Sequence, residues 1–395
     1  MAVKKFAISV LFFILGFTLV YVALQYAFHA TSRPADLVRQ GAETVGLKRP
    51  EIVGFLPYWL LGHADKDYAP YLTTLTYFGL TVAPDGTIQK LAAPGQEEPG
   101  WYDLHSGKID SFFTQARNND LKLSLLVFSG DQDAIMKMLD NPASSAAVLV
   151  SEAAPIMKQY HFTDLNLDIE SVEDATPEAR AKFTAFVREV KNQMTPLSLG
   201  TLTLDSSPTD LVKDRLINLA DVGPFVDKVV LMTYDYHYQG SFVTGPVGPI
   251  GGAGKDAEFD SETAVQKALE VLPKDKILLG VPLYGYEWET LTDFPRSAVM
   301  PGSGQVASNR RMEKFLADCA TCSAKLDTEA QEKYLIYKDA DTGTFHQIFF
   351  PDQNATAQKI QLAQKYDLSG VALWALGYDG DTILDPLRNY KHTLK

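Results

Sequence analysis

The fold of this chain is decided by one short stretch, Leu165-Asn166-Leu167-Asp168-Ile169-Glu170. Side chains alternate between the two faces of a strand, so the apolar residues share one face and Asn166, Asp168 and Glu170 share the other. In a closed barrel the outer face packs beneath helices and the inner face fills the lumen. Two carboxyl groups and an amide are costly inside a lumen unless they are paired or used in chemistry. The stretch therefore favours a barrel strand with a functional end, and a half-exposed antiparallel strand is the alternative.

Strand-like and helix-like segments alternate on both sides of this stretch, from residue 51 onward. The candidate strands are residues 52–56, 75–82, 121–128, 165–169, 197–204, 226–232, 277–283 and 371–374. The clearest helix start is Thr176, an N-cap residue that is followed by Pro177 at the first helical position. This alternation predicts an α/β fold, a parallel (β/α)8 TIM barrel. A doubly wound open sheet is the alternative, but no Gly-x-Gly-x-x-Gly follows the first strand.

The segment between the seventh and eighth candidate strands is too long for a single helix. It contains two more strand-like runs, residues 334–337 and 345–350. We therefore expect a small α+β insertion after the seventh strand, at about residues 286–350. The insertion also holds Cys319 and Cys322, which form a local disulfide or remain two free thiols. A metal site is disfavoured because no second cysteine or histidine pair has ligand spacing.

The N-terminus is strongly apolar. Lys4 and Lys5 precede residues 6–28, which carry no charge. As a helix with a rise of ~1.5 Å per residue, this run is about 34 Å long, enough to cross a ~30 Å hydrocarbon core. Signal-peptide cores are shorter, roughly 7–15 residues, so we expect an uncleaved signal anchor at residues 1–30 in the cell membrane. The lysines would stay inside, which places the body outside the cytoplasm. A cleaved signal peptide with a secreted body and a buried helix are the alternatives.

The rest of the chain reads as one domain. We assign residues 31–50 to a juxtamembrane linker and residues 51–395 to the barrel, a length that suits one large domain. The formal net charge is −13. An acidic surface repels phosphate backbones, so nucleic acid is not expected as a partner.

The two carboxyl groups of the opening stretch suit acid–base chemistry. Asp168 and Glu170 lie two residues apart on one face, so their charges repel. Repulsion and burial raise the pKa of one member, which then stays protonated near neutral pH and can act as a general acid. Glu170 is better placed for that role, because it is nearest the barrel mouth, where barrel enzymes keep their active sites. Asp168 lies deeper in the lumen and can alternate between hydrogen-bond partners.

The same stretch resembles the fourth-strand signature of the family 18 chitinases, Asp-Gly-x-Asp-x-Asp-x-Glu. The last Asp and the Glu of the signature match Asp168 and Glu170. The chain departs from the signature at Thr163, Asp164 and Asn166, which stand where the family has Asp, Gly and Asp. With Asn166 at the position of the second Asp, the chain resembles the branch of the family that includes spore-cortex and other peptidoglycan-directed members. These departures affect which substrate the enzyme chooses and how the pKa values of its acidic residues are set.

Further motifs that resemble the family's follow in order at the predicted strand ends. They are Gly54-Phe-Leu-Pro57-Tyr58-Trp59, Tyr77-Phe78 with Asp85-Gly86, Met232-Thr-Tyr234-Asp235, Gly245-Pro246-Val-Gly-Pro249, Leu279-Gly280-Val-Pro282-Leu-Tyr284-Gly285, and Gly370-Val-Ala-Leu-Trp374-Ala-Leu-Gly377-Tyr378-Asp379. The resemblance covers roughly residues 51–390. Each motif is weak alone, and their common order at strand ends makes the resemblance specific.

The resemblance implies a glycoside hydrolase that cleaves β-1,4 linkages of N-acetylglucosamine-containing glycans, either chitin-type oligomers or peptidoglycan. It implies retention through substrate-assisted catalysis, with Glu170 as acid and base, Asp168 orienting the substrate's acetamide, and Tyr234 assisting. The substrate-binding residues that it implies are Asn166, Met232, Asp235, Trp374, Tyr284, Phe78 and Tyr58. No metal or organic cofactor is needed, and we expect a monomer.

A non-catalytic glycan-binding protein on the same fold is the competing interpretation. Relatives of that kind usually lose the acidic Glu, whereas this chain keeps Glu170 together with Asp168 and Tyr234. A surface-anchored structural protein with a vestigial site is a third interpretation. Release of N-acetylglucosamine-containing fragments separates catalysis from both.

Overall fold

The computed structural model describes residues 49–255 and 259–394, of which residues 50–393 form one compact unit. The predicted signal anchor at residues 1–30 lies outside the described residues, as does nearly all of the predicted linker. Within the two described ranges, no helix is both long enough and apolar enough to cross a bilayer.

The secondary structure alternates between strands and helices along most of the chain. The strands are β1 (Glu51–Pro57), β2 (Thr74–Thr81), β3 (Leu91–Ala93), β4 (Gln96–Glu97), β5 (Lys122–Ser129), β6 (Asp164–Ile169), β7 (Thr201–Ser206), β8 (Lys228–Leu231), β9 (Ile277–Pro282), β10 (Tyr284–Thr290), β11 (Gln305–Ser308), β12 (Lys325–Asp327), β13 (Glu332–Lys338), β14 (Phe345–Phe350) and β15 (Gly370–Trp374). The helices are α1 (Pro99–His105), α2 (Asp110–Asn118), α3 (Gln132–Met138), α4 (Pro142–Tyr160), α5 (Pro177–Leu197), α6 (Leu219–Val222), α7 (Ser261–Leu269), α8 (Asn309–Asp318), α9 (Gln353–Lys365) and α10 (Asp385–Tyr390).

Eight parallel strands close into a barrel in the order β1-β2-β5-β6-β7-β8-β9-β15. The closing pair is β1 with β15, where Ile52 lies opposite Val371. The predicted parallel (β/α)8 barrel is therefore confirmed, and closure excludes the doubly wound open sheet. A short antiparallel hairpin, β3 with β4, follows β2 outside the barrel.

The faces of β6 are arranged as its alternation predicts. Leu165, Leu167 and Ile169 are buried in the large apolar cluster outside the barrel. Asn166 and Asp168 are also buried, on the opposite face. A smaller apolar cluster that includes parts of β1, β2, β5, β8 and β15 fills the lumen. The lumen is thus apolar over much of its wall and polar along β6.

The start of β7 differs from the sequence-based expectation of residues 197–204. Helix α5 extends through Leu197, and Ser198 ends it in the left-handed region at φ 54°. Gly200 follows at φ 89°, where an added Cβ would lie 2.0 Å from the carbonyl oxygen of Thr163. The strand therefore begins only at Thr201, because the chain between α5 and β7 first passes close to the backbone of Thr163, just before β6.

The insertion after β9 is built on a five-stranded antiparallel sheet in the order β11-β10-β14-β13-β12. It begins at Tyr284, two residues after β9 ends, and contains helix α8. The predicted strand runs at 334–337 and 345–350 are confirmed as parts of β13 and β14. Cys319 and Cys322 form a disulfide at the end of α8, so of the two states that the sequence left open the structure shows the bonded one.

Candidate active site

The candidate site is a cleft of about 210 Å³ at the carboxyl ends of the barrel strands. Its lining residues are Asp168, Glu170, Asp205, Ser207, Met232, Tyr234, Asp235 and Trp374. The three predicted catalytic residues therefore meet here, together with three of the predicted substrate-binding residues. Asp205 and Ser207 come from the end of β7 and were not anticipated.

The acidic residues of β6 form a column that rises toward the cleft. Asn166 is 1% exposed and Asp168 is 3% exposed. Glu170 is the first residue after β6, and its backbone N–H still donates to the carbonyl of Ser129 at 2.8 Å. That bond holds the residue in register with β5, while its side chain is exposed to the cleft. The column therefore places one accessible carboxyl directly above a buried one.

The surroundings raise the pKa of both carboxyl groups above their ordinary values. For Asp168 the causes are burial first, then the charges of Glu170 and Asp205. For Glu170 they are the loss of surrounding water and then the charge of Asp235. A raised pKa keeps Glu170 protonated to higher pH than an ordinary carboxyl, which is what a proton donor to a leaving group requires.

Tyr234 reaches the cleft from the segment after β8. Gly280 on β9 makes room for it, since a Cβ there would lie 2.9 Å from the tyrosine ring. Burial, followed by the charges of Asp205 and Asp168, raises the pKa of Tyr234 well above its ordinary value. The hydroxyl therefore stays protonated and can donate a hydrogen bond. Met232, two residues earlier, lines the same cleft.

Buried polar contacts fix the segment that carries Tyr234. The ammonium group of Lys359 on α9 donates to the carbonyl of Thr233 at 2.8 Å. Glu332 of the insertion accepts the backbone N–H groups of Val247 and Gly248 at 2.8 and 2.7 Å. Buried polar groups held in this way are rigid, because breaking either set would leave a buried polar group without a partner. The insertion and α9 thus help to position one wall of the cleft.

Asp235 lies at the rim in the left-handed region, at φ 57°. Its Oδ1 accepts hydrogen bonds from the hydroxyls of Tyr284 at 2.6 Å and Tyr286 at 3.1 Å. Tyr284, predicted to bind substrate, is itself 2% exposed and reaches the cleft through this bond. Tyr286 was not anticipated, because it lies on a strand of the insertion that the sequence did not reveal.

Trp374 closes the cleft at the end of β15. Its ring is half-buried and meets Phe55 and Phe78 edge-on at centroid distances of 5.8 and 5.3 Å. Trp59, which is 45% exposed, stands 6.4 Å from Trp374 and extends the aromatic surface outward. Phe78, predicted to bind substrate, is 7% exposed and packs in the lumen beneath these rings.

Four predicted substrate-binding residues do not line the cleft: Tyr284 and Phe78, described above, and Asn166 and Tyr58. Asn166 lies one level below Asp168 and interacts with Asp205 instead. Tyr58 packs against the outer apolar cluster, and burial followed by the charges of Glu98 and Asp103 raises its pKa. The chain forms a single 3₁₀ turn after β1, and this turn brings Trp59 rather than Tyr58 over the mouth.

A larger cavity of about 580 Å³ lies beside α8 and offers different chemistry. Its lining includes Arg310, which donates to both carboxylate oxygens of Asp65 at 3.0 and 2.6 Å. Arg311, also in the lining, is paired with the buried Glu287. Hydrolysis of a glycosidic bond needs a proton donor beside a second polar group at the reacting carbon. The smaller cleft meets that requirement with several neighbouring carboxyl groups, whereas the lining of the larger cavity has a single carboxyl group, the exposed Asp318.

Metal ligation has no visible basis in the part of the chain that the structure describes. No group of three or more His, Cys, Asp or Glu side chains there could hold a metal ion. His237, which follows the cleft segment, engages the carbonyl of Pro246 through Nδ1 at 2.8 Å. Burial lowers the pKa of His237, so its imidazole favours the neutral form.

Comparison with known sequences identifies relatives over most of the chain. Residues 51–379 match the glycosyl hydrolases family 18. The cortical fragment-lytic enzyme of Bacillus subtilis is 26% identical over 328 residues, which are 80% of this chain and 67% of that enzyme. The class V chitinase of Arabidopsis thaliana is 27% identical over 294 residues, which are 69% of this chain and 74% of that protein.

Solved structures share the fold. The Bacillus cereus spore cortex-lytic enzyme SleL aligns with a TM-score of 0.70 at 22% identity, covering 88% of this chain and 75% of that one. The Ostrinia furnacalis Group IV chitinase aligns with a TM-score of 0.73 at 18% identity, covering 88% of this chain and 100% of that one. At such identities the likeness shows the fold alone. Because the family match spans the whole barrel, however, this chain belongs to the glycosyl hydrolases family 18 and is a glycosidase that acts on a glycan.

Proposed function

We propose that this enzyme hydrolyses β-1,4 linkages of N-acetylglucosamine-containing glycans with retention, by substrate-assisted catalysis. The observation that carries the proposal is the stacking of accessible Glu170 above buried Asp168, with Tyr234 and Trp374 in the same cleft. The accessible group can exchange protons with substrate and water. The buried group and the tyrosine can hold a neutral polar substituent of the sugar.

Glu170 acts first as the general acid. Its proton passes to the glycosidic oxygen as the bond from that oxygen to the anomeric carbon breaks. The pKa of Glu170 is raised by partial burial and by Asp235, so the carboxyl holds its proton until the substrate binds. Asp235 also offers a carboxylate at the rim, where it binds sugar hydroxyls. Trp374 provides the apolar floor on which the sugar ring packs.

The nucleophile is the substrate's own 2-acetamido oxygen. The acid beside Glu170 in the column, Asp168, is 3% exposed and so is not placed for direct attack, and Asp235 at the rim accepts hydrogen bonds from Tyr284 and Tyr286. Asp168 can instead orient the acetamide N–H, while the hydroxyl of Tyr234 donates to the acetamide oxygen. Attack on the anomeric carbon gives an oxazolinium-type intermediate, and the leaving group departs on the opposite face.

Water completes the reaction. Glu170, now a carboxylate, removes a proton from a water molecule as that water attacks the anomeric carbon, and the acetamide is restored. Two displacements at one carbon give net retention of configuration, and Glu170 ends the cycle protonated. The N-acetyl group is therefore essential, which restricts the substrate to chitin-type oligomers or the glycan strands of peptidoglycan.

The similar proteins include a cortical fragment-lytic enzyme and a chitinase. A parallel product assay on chitotetraose and on purified peptidoglycan tests the proposal, with chitosan oligomers as the control that lacks acetyl groups. We expect fragments from one or both acetylated substrates, none from chitosan, and a β-anomer as the first product by NMR. Cleavage of chitosan at a comparable rate, or an α-anomer first, would contradict the mechanism.

We also propose where the enzyme is located in the cell. Residues 6–28 are apolar and follow Lys4 and Lys5, which supports a single membrane anchor with the catalytic domain outside the cytoplasm. We also propose that the enzyme acts as a monomer. Fractionation of the expressed full chain should find it in the membrane fraction, and size exclusion in detergent should give one chain per particle. Release of a truncated chain into the medium would favour secretion.

A further inference from the structure

One buried acid of the cleft has no part in the mechanism above. Asp205 is 3% exposed and lies near the end of β7. The register of β6 with β7 places Leu167 opposite Leu204, so the next step along both strands brings Asp168 beside Asp205. Adjacent strands are roughly 4.8 Å apart, and partners in a parallel pair point to the same face. Both carboxyl groups therefore enter the lumen side by side.

Each of these carboxyl groups retains unused hydrogen-bonding capacity. The Oδ1 atoms of Asp168 and Asp205 are buried and have no hydrogen-bond partner in the described part of the chain. A buried polar atom without a partner is rare in native proteins and needs a reason. Two neighbouring carboxyl groups can satisfy one another if they share one proton, which also removes the cost of two buried like charges.

Asn166 connects this pair to the departure from the family signature. The signature has Asp where this chain has Asn166, so β6 lacks its deepest acid. The side-chain amide of Asn166 hydrogen-bonds to Asp205 on the neighbouring strand. In this chain the deep acid of the lumen therefore lies on β7, where the Asn166 amide contacts it.

We propose that Asp205 is a positioning residue of this site, which shares one proton with Asp168 across β6 and β7 and thereby orients Asp168 beneath Glu170. The pair carries one proton and one negative charge. When substrate binds, the proton stays on Asp168 and the charge on Asp205, so that Asp168 is neutral as it turns toward the acetamide. Asp205 acts through Asp168 and does not touch the substrate's reacting atoms. The inference rests on the proposed function of the same site.

The charged and titratable groups around the pair come from three strands or strand ends. Burial, Glu170 and Asp164 on the β6 side raise the pKa of Asp205, and the Asn166 amide opposes them. Asp205 in turn raises the pKa of Asp168, after burial and Glu170. Tyr234 at the end of β8 faces both acids as a neutral phenol. Because every charge in this set is negative, the pair retains its proton.

The Asp205→Asn variant tests the proposal, with Asp164→Asn as the matched control at the foot of the same lumen. We expect Asp205→Asn to lower kcat on the order of 10²-fold with KM little changed. Loss of the Asp205 charge also lowers the pKa of Asp168, so the alkaline limb of kcat moves to lower pH. Asp164→Asn should move that limb less than Asp205→Asn does, because the Asp164 charge comes last among the causes that raise the pKa of Asp205. An Asp205→Asn enzyme with wild-type kcat and an unmoved limb would overturn the proposal.

Recovery of activity in a double variant distinguishes a positioning role of Asp205 from a merely structural one. The Asn166→Asp/Asp205→Asn double variant returns the deep acid to β6 and should recover kcat to within about 10-fold of the wild type. A double variant no better than Asp205→Asn would count against proton sharing. If Asp205→Asn fails to fold, a neutron structure of the wild type decides, because a deuteron must lie between the two carboxyl groups. Its absence rejects the inference, whereas wild-type inactivity on every acetylated glycan rejects the proposed function alone.

Discussion

Each end of the barrel lumen holds a buried acid from β6, and the two acids differ in whether their oxygens are hydrogen-bonded. At the foot, Asp164 accepts hydrogen bonds from Ser124 at 2.7 Å, Thr201 at 2.6 Å and Thr203 at 2.9 Å. At the mouth, Asp168 is equally well buried but keeps one oxygen without a partner among the described residues. Both side chains belong to the inward face of β6. Burial alone therefore does not distinguish them.

The two acids differ in how fully their oxygens are hydrogen-bonded. A fully bonded carboxyl is stable where it is and has nothing to offer a ligand. A buried carboxyl that lacks a partner costs free energy in the empty enzyme, about 1–3 kcal/mol for an unsatisfied group, and that cost is relieved when substrate or a proton fills the gap. On this basis we propose a structural role for Asp164 and a chemical role for Asp168.

The largest expected effect comes from Glu170, the accessible member of the column. Glu170→Gln keeps the shape but removes the exchangeable proton, so we expect kcat to fall on the order of 10⁴-fold while the melting temperature is nearly unchanged. Hydrolysis of chitotetraose or peptidoglycan, followed by chromatography of the products, measures it. A Glu170→Gln enzyme with full activity would remove the basis for calling this cleft the active site.

At the mouth of the barrel, Asp168 is the buried acid beneath Glu170. Asp168→Asn preserves the volume of the side chain and removes its charge and proton, and we expect kcat to fall on the order of 10²-fold. Stability should stay the same or rise, because the variant removes a buried acid next to the charge of Glu170 and its amide can still donate to Asp205. Thermal unfolding and kcat, measured on the same preparation, check both parts. A destabilised but fully active variant would assign Asp168 to the fold instead.

The third prediction concerns Asp164 at the foot of the lumen, where we expect a variant to lose stability but keep its activity. Asp164→Asn loses an acceptor of three hydroxyl groups, so we expect a loss of about 2 kcal/mol in unfolding free energy with kcat within about threefold of the wild type. Burial first of all raises the pKa of Asp164 from 3.8 to about 6. The folded state therefore binds the proton more tightly, and this contribution to stability is present below pH 4 and lost as pH rises through about 6.

Measurement of wild-type and Asp164→Asn unfolding across that pH range tests the assignment. The wild type should lose stability with rising pH more steeply than the variant does. Identical slopes would mean that Asp164 does not titrate in this range.

The smallest expected effect is a shift in pH dependence at the rim. The Asp235 charge raises the pKa of Glu170, so Asp235→Asn should lower that pKa and move the alkaline limb of kcat/KM to lower pH. Asparagine still accepts the two tyrosine hydroxyls, which limits other changes. Tyr286→Phe is the matched control, since it removes one of those bonds but keeps the charge and should leave the limb in place. A limb that moves upward in Asp235→Asn would refute the assigned coupling.

The fold was predictable because the barrel strands are marked by continuous or alternating apolar runs. The register of closure and the strands β10 to β12 were not, because they depend on pairing between distant segments rather than on local pattern. The start of β7 was misplaced because Leu197 and Leu199 continue an apolar run across a turn that Gly200 imposes.

The site was predictable where its residues follow one another in sequence, as along β6 and after β8. Asp205 was missed although the run Thr203-Leu204-Asp205 alternates like β6, since one acid in a strand is a weak signal. Trp59 and Tyr58 were indistinguishable because a single turn after β1 decides which ring faces the cleft. Such positions require the fold to be known first.

The central claim is that the cleft above Asp168 holds an acetylated sugar at the point of cleavage. A crystal structure of the Glu170→Gln variant with chitotetraose tests it most directly. We expect the acetamido group of the cleaved sugar to lie between Asp168 and Tyr234, with its ring on Trp374. A glycan bound in the arginine-lined cavity beside α8, or an acetamido group turned away from Asp168, would contradict it.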